Sequence, residues 1–369
     1  MINVLQVIGH LGCGGDTTVV FDAMKGMVVD TDVHFDYLTH KGAKNETIEF
    51  LRNNGSTVYV MDGDVRELGI VNYYHQFLKT LRQADKEYDA IHVHTGMQSG
   101  VALCAAKTLG IPNRICHSHV TAIQRKASFL KKAIATPLFR MLYMAASTQK
   151  IACSKDAGSF LYGNNKTTQV IYNAIDIEPY LCISEKDVLD LRQELGILKS
   201  DVVIGHVARM CEMKNQKFII ELARRNKDAE HIKFLLVGDG QEFGVIQEMA
   251  KELPNVILTG RRSDVPTIMK SCDCIILPSL PGEGFPVTMI EAQAAGCCCI
   301  TSAHVTDEVE VGLDLVTRIP LTDLESWDSS IVSLKRNSDF NHRDECARKL
   351  LEYGFGKDTF INKWKNLYN

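Results

Sequence analysis

Glu283 and Glu291 stand eight positions apart on either side of Gly284-Phe285-Pro286-Val287, in a segment that opens with Pro278-Ser279 and closes on Ala292-Gln293-Ala294-Ala295-Gly296. A carboxylate accepts hydrogen bonds from sugar and ribose hydroxyls. The free amides of a first helical turn bind phosphate, and Pro286 is tolerated there because that turn does not use its missing N–H. The segment follows the apolar run Cys274-Ile275-Ile276-Leu277, so the pattern predicts a strand, a loop projecting Glu283, and a helix from about Val287 carrying Glu291 in its second turn. Ligands bind at that edge of a parallel sheet. Two carboxylates around a phosphate-binding helix start can hold both ends of a sugar nucleotide.

Basic groups complement this segment. Arg209 and Lys214 follow the run Gly205-His206-Val207-Ala208, and a guanidinium with an ammonium just beyond a strand can neutralise a diphosphate and the charge that develops on it as a glycosidic bond breaks. Gly238-Asp239-Gly240 and Gly260-Arg261-Arg262 each end an apolar run, where glycine permits a tight turn and a close ligand approach. Near the N-terminus, Gly9-His10-Leu11-Gly12-Cys13-Gly14-Gly15-Asp16-Thr17 suits an anion, but Thr17 stands where a dinucleotide fingerprint needs its third glycine. His92-Val93-His94 and His117-Ser118-His119 are pairs at i, i+2 without the further Cys/His spacing of a zinc site, so no metal is expected.

On Glu283-Gly284-Phe285-Pro286 through Glu291, and on Arg209 five positions before Lys214, the chain resembles the retaining glycosyltransferases of family 4. The resemblance covers nearly the full length, most strongly 202–296. It implies the α/β GT-B fold, two doubly wound Rossmann-like domains facing a central cleft, with the acceptor mainly on the first and the nucleotide sugar on the second. Glu283 then contacts hydroxyls of the transferred sugar. The backbone of Gly284, Phe285, Pro286 and Val287 lines the phosphate side, and Glu291 holds the ribose. Arg209 and Lys214 become the leaving-group pair. Gly238 belongs to a nucleotide-side loop and Arg261 lies near the base. Gly14 and Gly15 approach the donor phosphate or the acceptor, with Asp16 departing from the common pattern. The family's active-site histidine matches His119, with His117 second. The cationic side chains do the neutralising, so neither a metal nor a cofactor is implied.

The elements that must position these groups follow from length and periodicity. At 369 residues the chain exceeds one comfortable core, and two domains imply a cleft. Apolar runs at 4–8, 33–38, 57–61, 90–94, 114–117, 150–153 and 169–172 alternate with amphipathic stretches such as 98–109 and 128–144, the signature of a covered parallel sheet. The same alternation returns with runs at 202–207, 233–237, 256–259, 274–277 and 298–301. The expected division is a first domain over 1–176, a polar linker over 177–200, a second domain over 201–345, and a closing amphipathic helix within 346–369 that crosses back to the first.

Bulk charge excludes little but narrows much. Forty-one basic and 45 acidic side chains leave −4, against nucleic-acid binding through the whole surface. The 12 cysteines are scattered, include Cys297-Cys298-Cys299 and follow no secretory signal, so reduced thiols in a cytoplasm are expected. Arg140 interrupts the longest apolar stretch, so no membrane span is expected. From Ala90 to Lys155 there is no Asp or Glu, and Arg125, Lys126, Lys131, Lys132 and Arg140 interleave with Phe129, Leu130, Ile134 and Leu138. That pattern suits a helix on an anionic membrane surface, or an ordinary solvated basic face. The functional expectation is transfer from a UDP-sugar to a glycan or lipid-linked glycan in polysaccharide biosynthesis. The alternatives are a nucleotide-sugar epimerase of the same architecture and a non-catalytic sugar-nucleotide-binding partner. A glycosidase built on Glu283 and Glu291 is disfavoured, since retaining hydrolysis needs carboxyls about 5 Å apart across the bond.

Overall fold

The computed structural model describes residues 1–9, 11, 32–84, 86–122, 129–163, 166–337 and 339–369, and of residues 97 and 129–135 the backbone alone. The chain divides into two units, Met1–Asn173 with Lys357–Asn369, and Ala174–Gly356.

The first unit is a seven-stranded parallel sheet of β1 (Ile2–Val7), β2 (Val33–His40), β3 (Val58–Met61), β4 (Ala90–Val93), β5 (Asn113–Ser118), β6 (Gln149–Ala152) and β7 (Thr168–Val170), in the order β3-β2-β1-β4-β5-β6-β7. The second holds six parallel strands, β8 (Val202–Val207), β9 (Ile232–Val237), β10 (Val256–Gly260), β11 (Cys274–Leu277), β12 (Cys298–Ser302) and β13 (Val316–Ile319), in the order β10-β9-β8-β11-β12-β13. Helices cover such sheets on both faces, and the central strands read as unbroken apolar runs for that reason: β4 and β11 are buried throughout. Each sheet reverses its strand order once, between β1 and β4 and between β8 and β11. Loops leaving neighbouring strands in opposite directions open a crevice at that point.

Three sequence expectations change. β13 went unread because two of its four residues, Thr317 and Arg318, are exposed on an edge strand, so it lacks the apolar run. The polar stretch 177–200 is no bare linker. It carries helices Glu178–Cys182 and Glu185–Glu194, and in the second of these Ser184 and Asp187 form a reciprocal cap while Val188 and Leu191 are buried. The helix Phe340–Glu352 runs across the expected boundary at 345, and the return to the first unit begins at Lys357. From there the helix Lys357–Tyr368 buries Phe360, Ile361, Trp364, Leu367 and Tyr368 in the first unit, and Asn113 and Gln149 donate to the Leu367 carbonyl at 2.7 and 2.9 Å.

No helix among the described residues is long and apolar enough to cross a membrane. Every described cysteine is a free thiol. Two basic residues of the acid-free stretch 90–155 cap helix ends: Arg140 donates to the Leu161 and Phe160 carbonyls, and Arg114 to that of Ala146. Arg125 and Lys126 lie outside the described residues, as do the side chains of Lys131 and Lys132.

Candidate functional site

In the second unit the loops after β8 and β11 are tied into one structure at the strand-order reversal. Asn215, in the left-handed conformation at φ 54°, donates its amide to the Pro278 carbonyl at 3.1 Å. The Leu280 N–H donates to the Met213 carbonyl at 2.8 Å, and Thr288, in the first turn of helix Val287–Ala294, donates to the Val207 carbonyl at 3.3 Å. At the centre of these ties Lys214 and Glu283 form an ion pair, their side chains only 14% and 8% exposed. Ser279 donates to the same carboxylate oxygen at 3.0 Å. Glu283 therefore does not project from its loop; it is buried, with its charge compensated. An ion pair so placed holds both partners in one geometry, because leaving either charge buried alone is costly.

Residues without a sequence signature brace the loop that carries Arg209. His206 is buried and donates from Nδ1 to the Ile276 carbonyl at 2.9 Å, which leaves Nε2 to accept from Gln216 at 3.1 Å. The second proton of that Gln216 amide goes to the Arg209 carbonyl at 3.1 Å. Burial, helped by the nearby Lys214, pulls the His206 imidazole down to about 4, so it is neutral at pH 7. Ser279 and His206 lie inside the motifs read from the sequence, but their bracing roles, and that of Gln216, depend on partners far along the chain or across the sheet and carry no local signal. Arg209 itself is exposed.

The glycine turn after β9 owes its composition to packing. At Gly238 (φ 137°) an added Cβ would lie 2.0 Å from the Ala208 carbonyl oxygen, and at Gly240 (φ 155°) 2.2 Å from that of Met210. Both glycines are needed so that this turn can press backbone to backbone on the Arg209 loop. The close approach is to a neighbouring loop, a different reason from the ligand approach expected. Arg261 is exposed just past the end of β10, on the same sheet edge. Beyond β11, Phe285 is buried and lies parallel to Phe355 with ring centroids 6.4 Å apart, while Glu291 is half-buried and its charge helps to push the buried Tyr180 hydroxyl upward.

In the first unit the two histidine pairs meet. The parallel register of β4 and β5 sets them side by side, with His92 Nε2 3.1 Å from His117 Nδ1 and His94 Nδ1 2.9 Å from His119 Nε2. Ligand-capable atoms of His92, His94 and His117 lie within 4.8 Å of one another. The expectation of no metal set rested on spacing along the chain, which cannot register a cluster assembled across two strands. Burial and mutual repulsion hold His92, His94 and His117 well below the usual imidazole range. Trp364 of the closing helix stacks on His94 at 5.8 Å. Gly14 and Gly15 lie outside the described residues.

Residues 14–179 match the family model described as Glycosyltransferase Family 4, and residues 187–331 the model for group 1 glycosyl transferases. EpsF, a candidate glycosyltransferase of Bacillus subtilis (strain 168), is 32% identical over 99% of this chain and 96% of its own. This chain belongs to glycosyltransferase family 4. The Escherichia coli enzyme named UDP-Gal:α-D-GlcNAc-diphosphoundecaprenol α-1,3-galactosyltransferase is 25% identical over 82% of this chain and 81% of its own. Among solved structures, HepE of Anabaena, crystallised with UDP-glucose, superposes with a TM-score of 0.74 at 20% identity, covering 98% of each chain. The fold of this family 4 glycosyltransferase is GT-B.

Proposed function

We propose that this glycosyltransferase moves a sugar from a UDP-sugar to a lipid-linked glycan, with retention of anomeric configuration, during polysaccharide biosynthesis. The observation that carries the reading is the buried Lys214–Glu283 pair at the strand-order reversal, with Arg209 exposed on the adjoining loop. Lys214 and Arg209 hold the diphosphate and take up the charge of its departure. Glu283, its carboxylate already oriented by Lys214 and Ser279, accepts from hydroxyls of the transferred sugar. Glu291 holds the ribose, the backbone from Gly284 to Val287 faces the phosphates, and Arg261 lies by the base. His119 hydrogen-bonds the transferred sugar. The departing phosphate helps to deprotonate the acceptor hydroxyl on the same face while an oxocarbenium-like species forms, so the new glycosidic bond keeps the configuration of the old. Neutralisation by Arg209 and Lys214 leaves no step that calls for a metal or cofactor.

The UDP-sugar and the lipid-linked acceptor are supported by the E. coli relative's name, which contains both, and by the UDP-glucose in the HepE crystals. In this reading the enzyme works in the cytoplasm, peripheral to the inner face of the membrane, with the basic region 125–140 against anionic headgroups. Thermal shift with UDP-glucose, UDP-galactose, UDP-N-acetylglucosamine and GDP-mannose, then transfer of the best donor to a GlcNAc-diphosphoundecaprenol acceptor, tests the reading. Donor-dependent stabilisation and an α-linked product by NMR are expected. Donor interconversion without acceptor would favour the epimerase, and stabilisation without any turnover the binding partner.

A further inference from the structure

The helix Phe340–Glu352 packs against the helix Val287–Ala294, whose second turn carries Glu291. At the far end of the Glu291 helix the contact is backbone to backbone: at Gly296 (φ 66°) an added Cβ would lie 2.7 Å from the Arg343 Cα. Arg343 is wholly buried there. It donates from Nη1 to the Ala295 carbonyl at 2.9 Å, and from Nη2 to the Cys272 and Asn337 carbonyls at 2.8 and 3.0 Å. Asp273, 3.9 Å away, supplies the counter-charge. A guanidinium so placed satisfies a carbonyl that the end of a helix leaves open, and it fixes that end.

The near end is met by the residue that follows the same supporting helix. Beyond Glu352 the chain turns on Gly354 (φ 82°), with the Gly354 N–H donating to the Leu351 carbonyl and the Phe355 N–H to that of Leu350, both at 3.0 Å. The Ile175 N–H donates to the Phe355 carbonyl at 3.2 Å, and Ile175 and Gly356 form a parallel bridge. The Phe355 backbone is therefore fixed from two sides. Its ring lies 3° from parallel to that of Phe285, at the offset-stacking distance of 6.4 Å between centroids. Phe285 is the large apolar side chain of the loop between Glu283 and the helix start, and only 4% of it is exposed.

We propose that Phe355 is a positioning residue for the diphosphate of the donor: its ring holds Phe285, and through Phe285 the backbone from Gly284 to Val287 that faces the phosphates. This rests on the reading of 283–291 as the donor-binding segment. The two supports divide the work. Phe355 governs the loop and the helix start, where phosphate is bound, while Arg343 governs the far end of the helix that brings Glu291 to the ribose. Loss of the Phe355 ring thus weakens the hold on phosphate and leaves the hold on the nucleoside as it was.

The test is the ratio of two dissociation constants, for UDP and for uridine, which lacks the phosphates, measured on the full chain by calorimetry and by competition. Phe355→Leu keeps an apolar side chain but loses the flat ring; it should raise the UDP Kd about fivefold, as loss of one well-aligned hydrogen bond does, with uridine unchanged. Phe355→Met reads the same ratio should the leucine variant fold poorly. Phe355→Tyr retains the ring and should restore the wild-type ratio. Phe285→Leu should reproduce the loss, and the double variant Phe285→Leu/Phe355→Leu should lose no more than either alone, because the two changes break one contact. An unchanged ratio in Phe355→Leu and Phe355→Met overturns the proposal, whether both ligands weaken equally or neither does. So do additive losses in the double variant. Glu291→Ala separates this from the reading beneath it: UDP and uridine should weaken together, since both carry the ribose. If Glu291→Ala does so while Phe355→Leu keeps the wild-type ratio, the positioning role alone is lost. If Glu291→Ala binds both ligands normally, the donor segment is misread and the proposal falls with it.

Discussion

The two units put their functional groups on the same part of the same kind of sheet, but furnish it with opposite chemistry. Beside the β8/β11 reversal stands a lysine–glutamate pair with an exposed arginine on the adjoining loop; beside the β1/β4 reversal stand buried imidazoles under Trp364. Fixed charge suits a partner whose own charge changes, and a departing diphosphate is such a partner. Neutral donors and acceptors suit hydroxyls, which are chosen by direction instead of by charge. Both edges are rigid for different reasons. The second unit uses an ion pair and backbone packing at glycine, while the first uses side-chain hydrogen bonds that join β1, β4, β5 and the closing helix.

The sharpest way to break this comparison is at the ion pair. Lys214→Ala should cut kcat by about 10²- to 10³-fold, as removal of one preorganised charge donor does. It should also cost about 2–4 kcal/mol in urea unfolding, because Glu283 is left buried without its counter-charge. Glu283→Gln on the Lys214→Ala background should recover part of the stability but none of the turnover. A variant with normal stability and normal kcat would remove the pair from the site.

Gly238→Ala probes the backbone side of the second unit. An added Cβ 2.0 Å from the Ala208 oxygen forces the Arg209 loop away, and we expect a loss of about 2–3 kcal/mol together with a raised KM for the donor. Equilibrium unfolding and initial-rate kinetics separate the two effects.

Acid should distinguish the units. A histidine held below its unfolded value is neutral in the fold while the unfolded chain takes up a proton, so its site is fully stable above about pH 6.5 and loses stability as pH falls toward the folded value. For His206, drawn down to about 4, the loss at pH 5 is about 2 kcal/mol. His92, His94 and His117 act in the same direction in the first unit. Amide exchange at pH 7 and pH 5 should show the first unit's β4 and β5 losing protection more than β8. Unchanged protection of β4, β5 and β8 at pH 5 would contradict the neutral-imidazole account.

Arg261→Ala should have the smallest effect. The side chain is exposed at the end of β10, and its removal should raise the donor KM about threefold, near 0.6 kcal/mol, with kcat and stability unchanged.

Much of this was legible in the chain itself. Covered parallel strands are continuous apolar runs, so twelve of the thirteen strands among the described residues could be placed from hydrophobicity, and the Glu283-to-Glu291 segment announced a loop and a helix start at a strand's end. The candidate groups of the second unit stood out in the sequence because they are charged, and a charge next to a strand's end needs an explanation. Three things only the tertiary structure decided. Lys214 and Glu283 are separated in sequence by β9, β10, β11 and the helices between them, and their pairing exists only because β8 and β11 are neighbours. Gly238 signalled a turn, yet which backbone it approaches depends on the packing of two loops. The histidine block needs the β4/β5 register, Gln6 on a third strand and Tyr368 from the far end of the chain. Local sequence carries periodicity and turn chemistry; proximity between distant residues is a property of the sheet order.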